Sequence, residues 1–164
     1  MISTLSIIIP CYNEESLIPV ILQKLISVNA GGLAKEIIIV DDGSSDNTAI
    51  AIQQFANTHS EARIVFLQNK KNEGKGASIK AALEHVTGNI TIIQDADLEY
   101  DPSDYNRLLK PILDGYADVV YGSRFRGSEP HRVLFFFHTI GNKFLTFLSN
   151  LLTQLNLTDM ETGY

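Results

Sequence analysis

Four carboxylates fall at alternate positions in one short stretch, IIQDADLEYDP: Asp95, Asp97, Glu99 and Asp101. In an extended segment alternate side chains share a face, so these groups would crowd one side. Charges that close repel and raise one another's pKa, which calls for a compensating cation. A divalent metal is the evident candidate, because hard carboxylate oxygens suit hard cations such as Mg2+ or Mn2+. The competing reading is a solvated, acid-rich turn after a buried strand.

Three further loops carry unusual residue types: PCYNEE from Pro10, DDGSSDNT from Asp41 and YGSRF from Tyr121. Tyr12 could stack on a base or pack against a helix. Asp42 could accept hydrogen bonds from a base or ribose hydroxyl, although Asp42 and Gly43 also form a common turn pair. Arg124 could bind a phosphate or stand in solvent. Common nucleotide fingerprints are missing: PCYNEE holds no GxGxxG, and NEGKGAS (72–78) lacks the Lys-Ser/Thr pair of a P-loop. The loops suit a sugar nucleotide held by base, ribose and metal, with the metal as Lewis acid on the leaving diphosphate.

The elements that must position these loops alternate in type. LSIIIP (5–10), EIIIV (36–40), RIVFLQ (63–68), NITIIQ (89–94) and DVVYGS (118–123) read as strands. Between them, residues 14–28 and 77–85 and a stretch around Ile50, Ile52 and Phe55 show helical spacing, with Asp46 a candidate cap. Ile79, Ala82, Leu83 and Val86 are expected on one inner face. A fourth helix follows Ser103 and runs through about Asp114. Such alternation implies right-handed crossovers and a Rossmann-like, mainly parallel sheet with helices on both faces. Ligands then sit beyond the carboxyl ends of the strands, where the unusual loops converge.

Composition bounds the function classes. The 164 residues fit a single α/β domain with an ordinary globular balance, 45% hydrophobic and 20% charged. A net charge of −6 argues against a protein that coats nucleic acid. One cysteine, Cys11, forms no internal disulfide and fits a reducing, cytoplasmic compartment. The first apolar run, Leu5 to Ile9, is too short for a signal core. The longest apolar stretch, Val133 to Leu155, is interrupted by His138, Asn142, Lys143 and Asn150 and falls short of the roughly 18 unbroken residues of a span. As a helix it would group Phe136, Ile140, Phe144, Phe147 and Leu151 on a broad apolar face. That face would pack on the sheet or touch a membrane surface.

Taken together, PCYNEE, VDDGSSDNT, NEGKGASIKAAL, DADLEYDP, YGSRF and the closing TDMETGY resemble family 2 glycosyltransferases of the GT-A fold. Within that family the chain is most similar to the polyprenyl-phosphate sugar synthases, the dolichol-phosphate mannose and glucose synthase-like group. The resemblance implies nucleoside contacts at Pro10, Tyr12, Glu14, Val40 and Asp42, with Gly43, Asp95 and Ala96 in the same nucleotide-binding motifs. It implies metal binding at Asp95 and Asp97, with Glu99 at a position where relatives also supply a ligand but often carry glutamine. Asp101, ahead of Pro102, is expected to be structural. The reaction implied is transfer of a hexose from UDP-glucose or GDP-mannose to a polyprenyl or dolichyl phosphate, dependent on Mg2+ or Mn2+. Asp97 and Arg124 would serve the chemistry, and Arg126 and Arg132 lie in the same region. A hydroxyl acceptor would instead need a carboxylate base, for which Asp159 and Glu161 are the candidates. A nucleotide-binding but inactive fragment is a further alternative. Relatives continue past the last motif, so residues 1–164 are expected to be one catalytic domain truncated at its C-terminus. A lipid acceptor would bring the domain to the cytoplasmic face of a membrane, with the basic stretch 124–132 towards anionic lipid.

Overall fold

The computed structural model describes residues 2–123, 136–160, 162 and 163. Strands β1 (Thr4–Cys11), β2 (Ala34–Asp41), β3 (Arg63–Gln68) and β4 (Ile90–Ile93) form one parallel sheet in the order β3-β2-β1-β4. Helices α1 (Ile18–Ser27), α2 (Thr48–Thr58) and α3 (Lys75–Leu83) connect them, and a 3-10 turn (Pro102–Asp104) leads into α4 (Tyr105–Leu113). A longer helix, α5 (Phe136–Thr153), closes the described chain.

Strand alternation sorts the core onto both faces. Leu5, Ile7, Ile9, Ile37 and Ile39 point to one face, beneath Ile18, Ile21, Leu22 and Leu25 of α1, Ile52 and Phe55 of α2, and Tyr105 and Leu109 of α4. Ile8, Ile38 and Val40 point to the other, where Ala82, Ile79 and Val86 cover them. Helices on both faces of a parallel sheet are what the alternating pattern predicts. At the far end of the sheet Glu36 is fully buried. It accepts hydrogen bonds from Ser6, from the Thr87 hydroxyl (2.7 Å) and amide (2.6 Å), and from the Gly88 amide (3.0 Å). Burial alone would raise its pKa, but these donors bring it down to about 2.

Three expectations are corrected. Residues 118–123 form no strand, so β4 is the sheet edge among the described residues. Val119 and Tyr121 face solvent, 69% and 54% exposed, and only Val120 reaches the apolar groove between β4 and α4. With one apolar side chain in three half-buried and the other two exposed, nothing draws this run into a ladder. Leu83, expected on the inner face of α3, is 53% exposed. Finally, α1 starts at Ile18 rather than Glu14, because the Glu14 carbonyl accepts from the Leu17 and Ile18 amides in a tight turn ahead of Pro19.

The strand order also fixes where a ligand fits. From β1 the chain moves outward through β2 to β3, then returns to place β4 on the other side of β1. The crevice of such a sheet opens beyond the carboxyl ends of the two strands at this reversal. Those ends lead into PCYNEE and QDADLE.

Candidate active site

The loops after β1 and β2 are joined by hydrogen bonds into one rim. The Asn13 amide donates to Ser44 Oγ (2.9 Å), and Asn13 Oδ1 accepts from the Ser45 amide (2.9 Å). The Glu14 amide donates to Thr48 Oγ1 (2.8 Å), and Glu15 accepts from the Asn47 amide (2.9 Å). Asn13 adopts φ +56°, a left-handed conformation that a short polar side chain tolerates. Asp46 accepts from the Thr48 amide (3.0 Å) at the start of α2, close to the expected cap. Tyr12 projects from this rim, 45% exposed.

A third loop is gathered in by Asp42. Its carboxylate is 4% exposed and accepts from Asn69 Nδ2 (2.7 Å) and from the amides of Glu73 (3.0 Å) and Gly74 (2.7 Å). Burial opposes its charge, yet these donors hold its pKa below the ordinary value. Gly43 lies at φ +71°, and a side-chain carbon there would sit 2.6 Å from the Lys71 carbonyl carbon. Only glycine satisfies both the backbone conformation and the approach of the 71–72 segment. Asp42 and Gly43 thus organise the loop that precedes α3.

The acidic stretch is not extended. Residues 95–101 turn, with Leu98 at φ +61°, so the four carboxylates separate instead of lining one side. Asp95 pairs with Lys75 at the start of α3 (2.6 Å). Asp97 is exposed and accepts from the Glu99 amide (3.0 Å). Asp101 leaves the site: it caps the 3-10 turn through the Ser103 amide (2.9 Å) and pairs with Lys24 (2.7 Å), the structural role expected of it. The turn is braced from below by Gln94, whose side-chain amide donates to the carbonyls of Asp95 and Tyr100 (3.0 Å each). Tyr105 Oη in turn donates to Gln94 Oε1 (2.9 Å).

Negative charge accumulates where these loops meet. The Glu14 carboxyl is raised by burial and then by Asp97 and Asp46. The buried Cys11 thiol is pushed up to about 12, first by burial and then by Asp41, Glu14, Asp46 and Asp42. Asp95 and Asp97 bring oxygen-only side chains, the donor type that suits a hard divalent cation, to this acidic region, with Lys75 against Asp95. Among the described residues no three His, Cys, Asp or Glu side chains converge as a metal cage. Glu99 is therefore not brought in as a third ligand.

Several expected positions contribute differently from their motifs. The side chains of Val40 and Ala96 are buried in the two cores, and Val40 lies inside the sheet, in register with Pro10 of β1 and Leu67 of β3. Pro10 is half-buried at the end of β1. Asp159 is buried and accepts from Asn142 Nδ2 of α5 (2.8 Å). Arg124, Arg126, Arg132 and Glu161 lie outside the described residues. Sequence reasoning gave no role to Lys75 or Gln94. The available signals were a cation within NEGKGAS and an amide at the end of an apolar strand.

A family model, glycosyl transferase family 2, matches residues 6–162. The chain belongs to glycosyl transferase family 2. Among curated proteins, this family 2 chain is 37% identical over 129 residues to undecaprenyl-phosphate 4-deoxy-4-formamido-L-arabinose transferase of Proteus mirabilis. That match covers 78% of the chain and 39% of the relative. A mannosyltransferase from Pyrobaculum calidifontis, solved with GDP-mannose and Mn2+, superposes with a TM-score of 0.54 at 30% identity, over 61% of this chain and 29% of that one. Glucosyl-3-phosphoglycerate synthase from Mycobacterium tuberculosis, solved with Mn2+, UDP-glucose and phosphoglyceric acid, gives 0.53 at 27%, over 69% and 40%. The structural neighbours are GT-A glycosyltransferases, and the parallel sheet with its helices has that architecture.

Proposed function

We propose that this domain transfers a hexose from a nucleoside-diphosphate sugar, of the UDP-glucose or GDP-mannose type, to a polyprenyl phosphate. The observation that carries the reading is the Asp95–Asp97 turn, braced by Gln94 and set where the strand order reverses. Support for the donor comes from neighbours solved with GDP-mannose or UDP-glucose and Mn2+. Support for the acceptor comes from the relative named for undecaprenyl phosphate, whose own sugar is an arabinose derivative rather than a hexose.

Tyr12 and the rim around Asn13 and Ser44 would receive the nucleoside, with Asp42 holding the adjoining loop in place. Asp95 and Asp97 would hold Mg2+ or Mn2+, which supplies charge neutralisation for the departing diphosphate. Lys75, already against Asp95, adds a cation beside the same oxygens. A phosphate acceptor is anionic near neutral pH, so orientation matters more than a general base. Arg124 would orient it.

The face of α5 supports action at a membrane surface. Ile140, Phe144, Phe147, Leu151 and Leu152 are between 50% and 83% exposed, so this helix is not packed on the sheet through its apolar side. No helix among the described residues is long and apolar enough to cross a membrane. Contact at the interface, from the cytoplasmic side, fits a lipid-linked acceptor.

The test is transfer of radiolabelled sugar from UDP-glucose and from GDP-mannose to undecaprenyl phosphate and to soluble sugars, with and without Mn2+. Metal-dependent label in the lipid fraction is expected. Label only in a soluble sugar, lost in Asp159→Ala, would replace this reading with a hydroxyl-acceptor transferase.

A further inference from the structure

Helix α5 is built the wrong way round for a core helix. Among its described side chains the buried ones are polar, Asn142 and Thr146, while its apolar residues face outward. Asn142, Thr146 and Asn150 recur every fourth residue and so share one stripe. Burying an amide or hydroxyl is unfavourable unless it is hydrogen-bonded. Here each one is bonded to the segment that follows the helix.

Asn142 Nδ2 donates to Asp159 Oδ1 (2.8 Å). Thr146 Oγ1 donates to Asn142 Oδ1 (3.1 Å) and accepts from the Met160 amide (3.1 Å). Asn150 donates to the Leu157 carbonyl (2.8 Å) and accepts from the Leu157 amide (2.9 Å). The ladder therefore fixes residues 157–160 along the helix. Four residues beyond Asp159, Gly163 reaches the acidic turn. A side-chain carbon at 163 would meet Tyr100 Cε2 at 2.5 Å and Asp95 Oδ2 at 3.0 Å. Residues 157–160 thus lie against the stripe on α5, and Gly163 lies against the carboxylate at the candidate diphosphate site.

We propose that Asn142 and Thr146 are positioning residues for sugar transfer, acting through residues 157–160, Asp159 among them, and Gly163 on the surroundings of Asp95. The assignment rests on the reading of Asp95 and Asp97 as the metal–diphosphate site. It differs from a packing role, because the stripe carries hydrogen bonds to one functional segment and no apolar contact with the sheet is needed to explain its burial. Thr146 is the sharper probe, since valine keeps its shape and removes only the hydroxyl.

The experiment compares Asn142→Ala, Thr146→Val and Thr146→Ser in the full protein. Hydrogen exchange is read at residues 157–163 and in the sheet, alongside kcat and KM for the nucleotide sugar. Asn142→Ala and Thr146→Val are expected to speed exchange at 157–163 while leaving β1–β4 protected. They should lower kcat on the order of 10- to 100-fold, with the donor KM within about threefold of the unaltered protein. Thr146→Ser, which keeps the hydroxyl, should retain both protection and turnover. A normal kcat in Thr146→Val, or unchanged exchange at 157–163, would overturn the assignment alone. Absence of any metal-dependent nucleotide binding by the unaltered, folded protein would overturn the site reading and this assignment with it.

Discussion

The two halves of the described chain are held by opposite means. From β1 to α4 the sheet buries β-branched side chains on both faces and exposes polar loops at one edge. Along α5 the amides and hydroxyl turn inward and the phenylalanines and leucines turn out. Apolar burial therefore stabilises the first half, whereas directional hydrogen bonds set the geometry of the second. The difference suits their proposed tasks: a rigid nucleotide platform, and a segment placed beside it on a helix that offers an apolar face to lipid.

The comparison can be broken most severely at the site itself. Asp97→Ala removes an exposed carboxylate, so the fold should survive, while transfer falls by on the order of 10²–10³ or more. Circular dichroism with a transfer assay checks both halves of that statement. Next, Ile8→Ala opens a cavity beneath α3 and should destabilise by about 2–5 kcal/mol in denaturant unfolding. Leu152→Ser, at 83% exposure, should stay within about 0.5 kcal/mol yet weaken binding to anionic vesicles. If both substitutions destabilised equally, the contrast between the halves would fail.

Acid should act on the sheet half through Glu36. Its folded pKa of about 2 lies below its ordinary 4.5, so its charged form stabilises the fold above pH 4.5. That contribution, about 3 kcal/mol at most, is lost as pH falls from about 4.5 through 2. Glu36→Gln should flatten stability across that window. Gly43→Ala should destabilise by about 1–3 kcal/mol, from the positive φ plus the displacement of the Lys71 backbone. Its melting temperature should drop by several degrees.

Much of the platform was legible because the strands are short β-branched runs with breakers after them. RIVFLQ forms β3 with the bounds read from its pattern. DVVYGS also carries β-branched and aromatic residues but stays outside the sheet, and such residues alone do not reveal whether a ladder partner is in reach. The acids of DADLEYD were legible as a cluster of charge, not as a geometry: alternation predicts a shared face only in extended chain, and the turn at Leu98 removes that condition. The Lys75–Asp95 pair joins residues from two separate loops, which local spacing does not encode. On α5 the polar residues read as interruptions of an apolar face, whereas they form the stripe that faces inward.

Calorimetric titration with UDP and GDP, each with and without Mn2+, tests the central claim most directly. The account predicts that one nucleotide binds only with metal, and that Asp95→Asn and Asp97→Asn each abolish that metal-dependent binding. Binding of neither nucleotide by a folded protein, or equal binding with and without Mn2+, would contradict it.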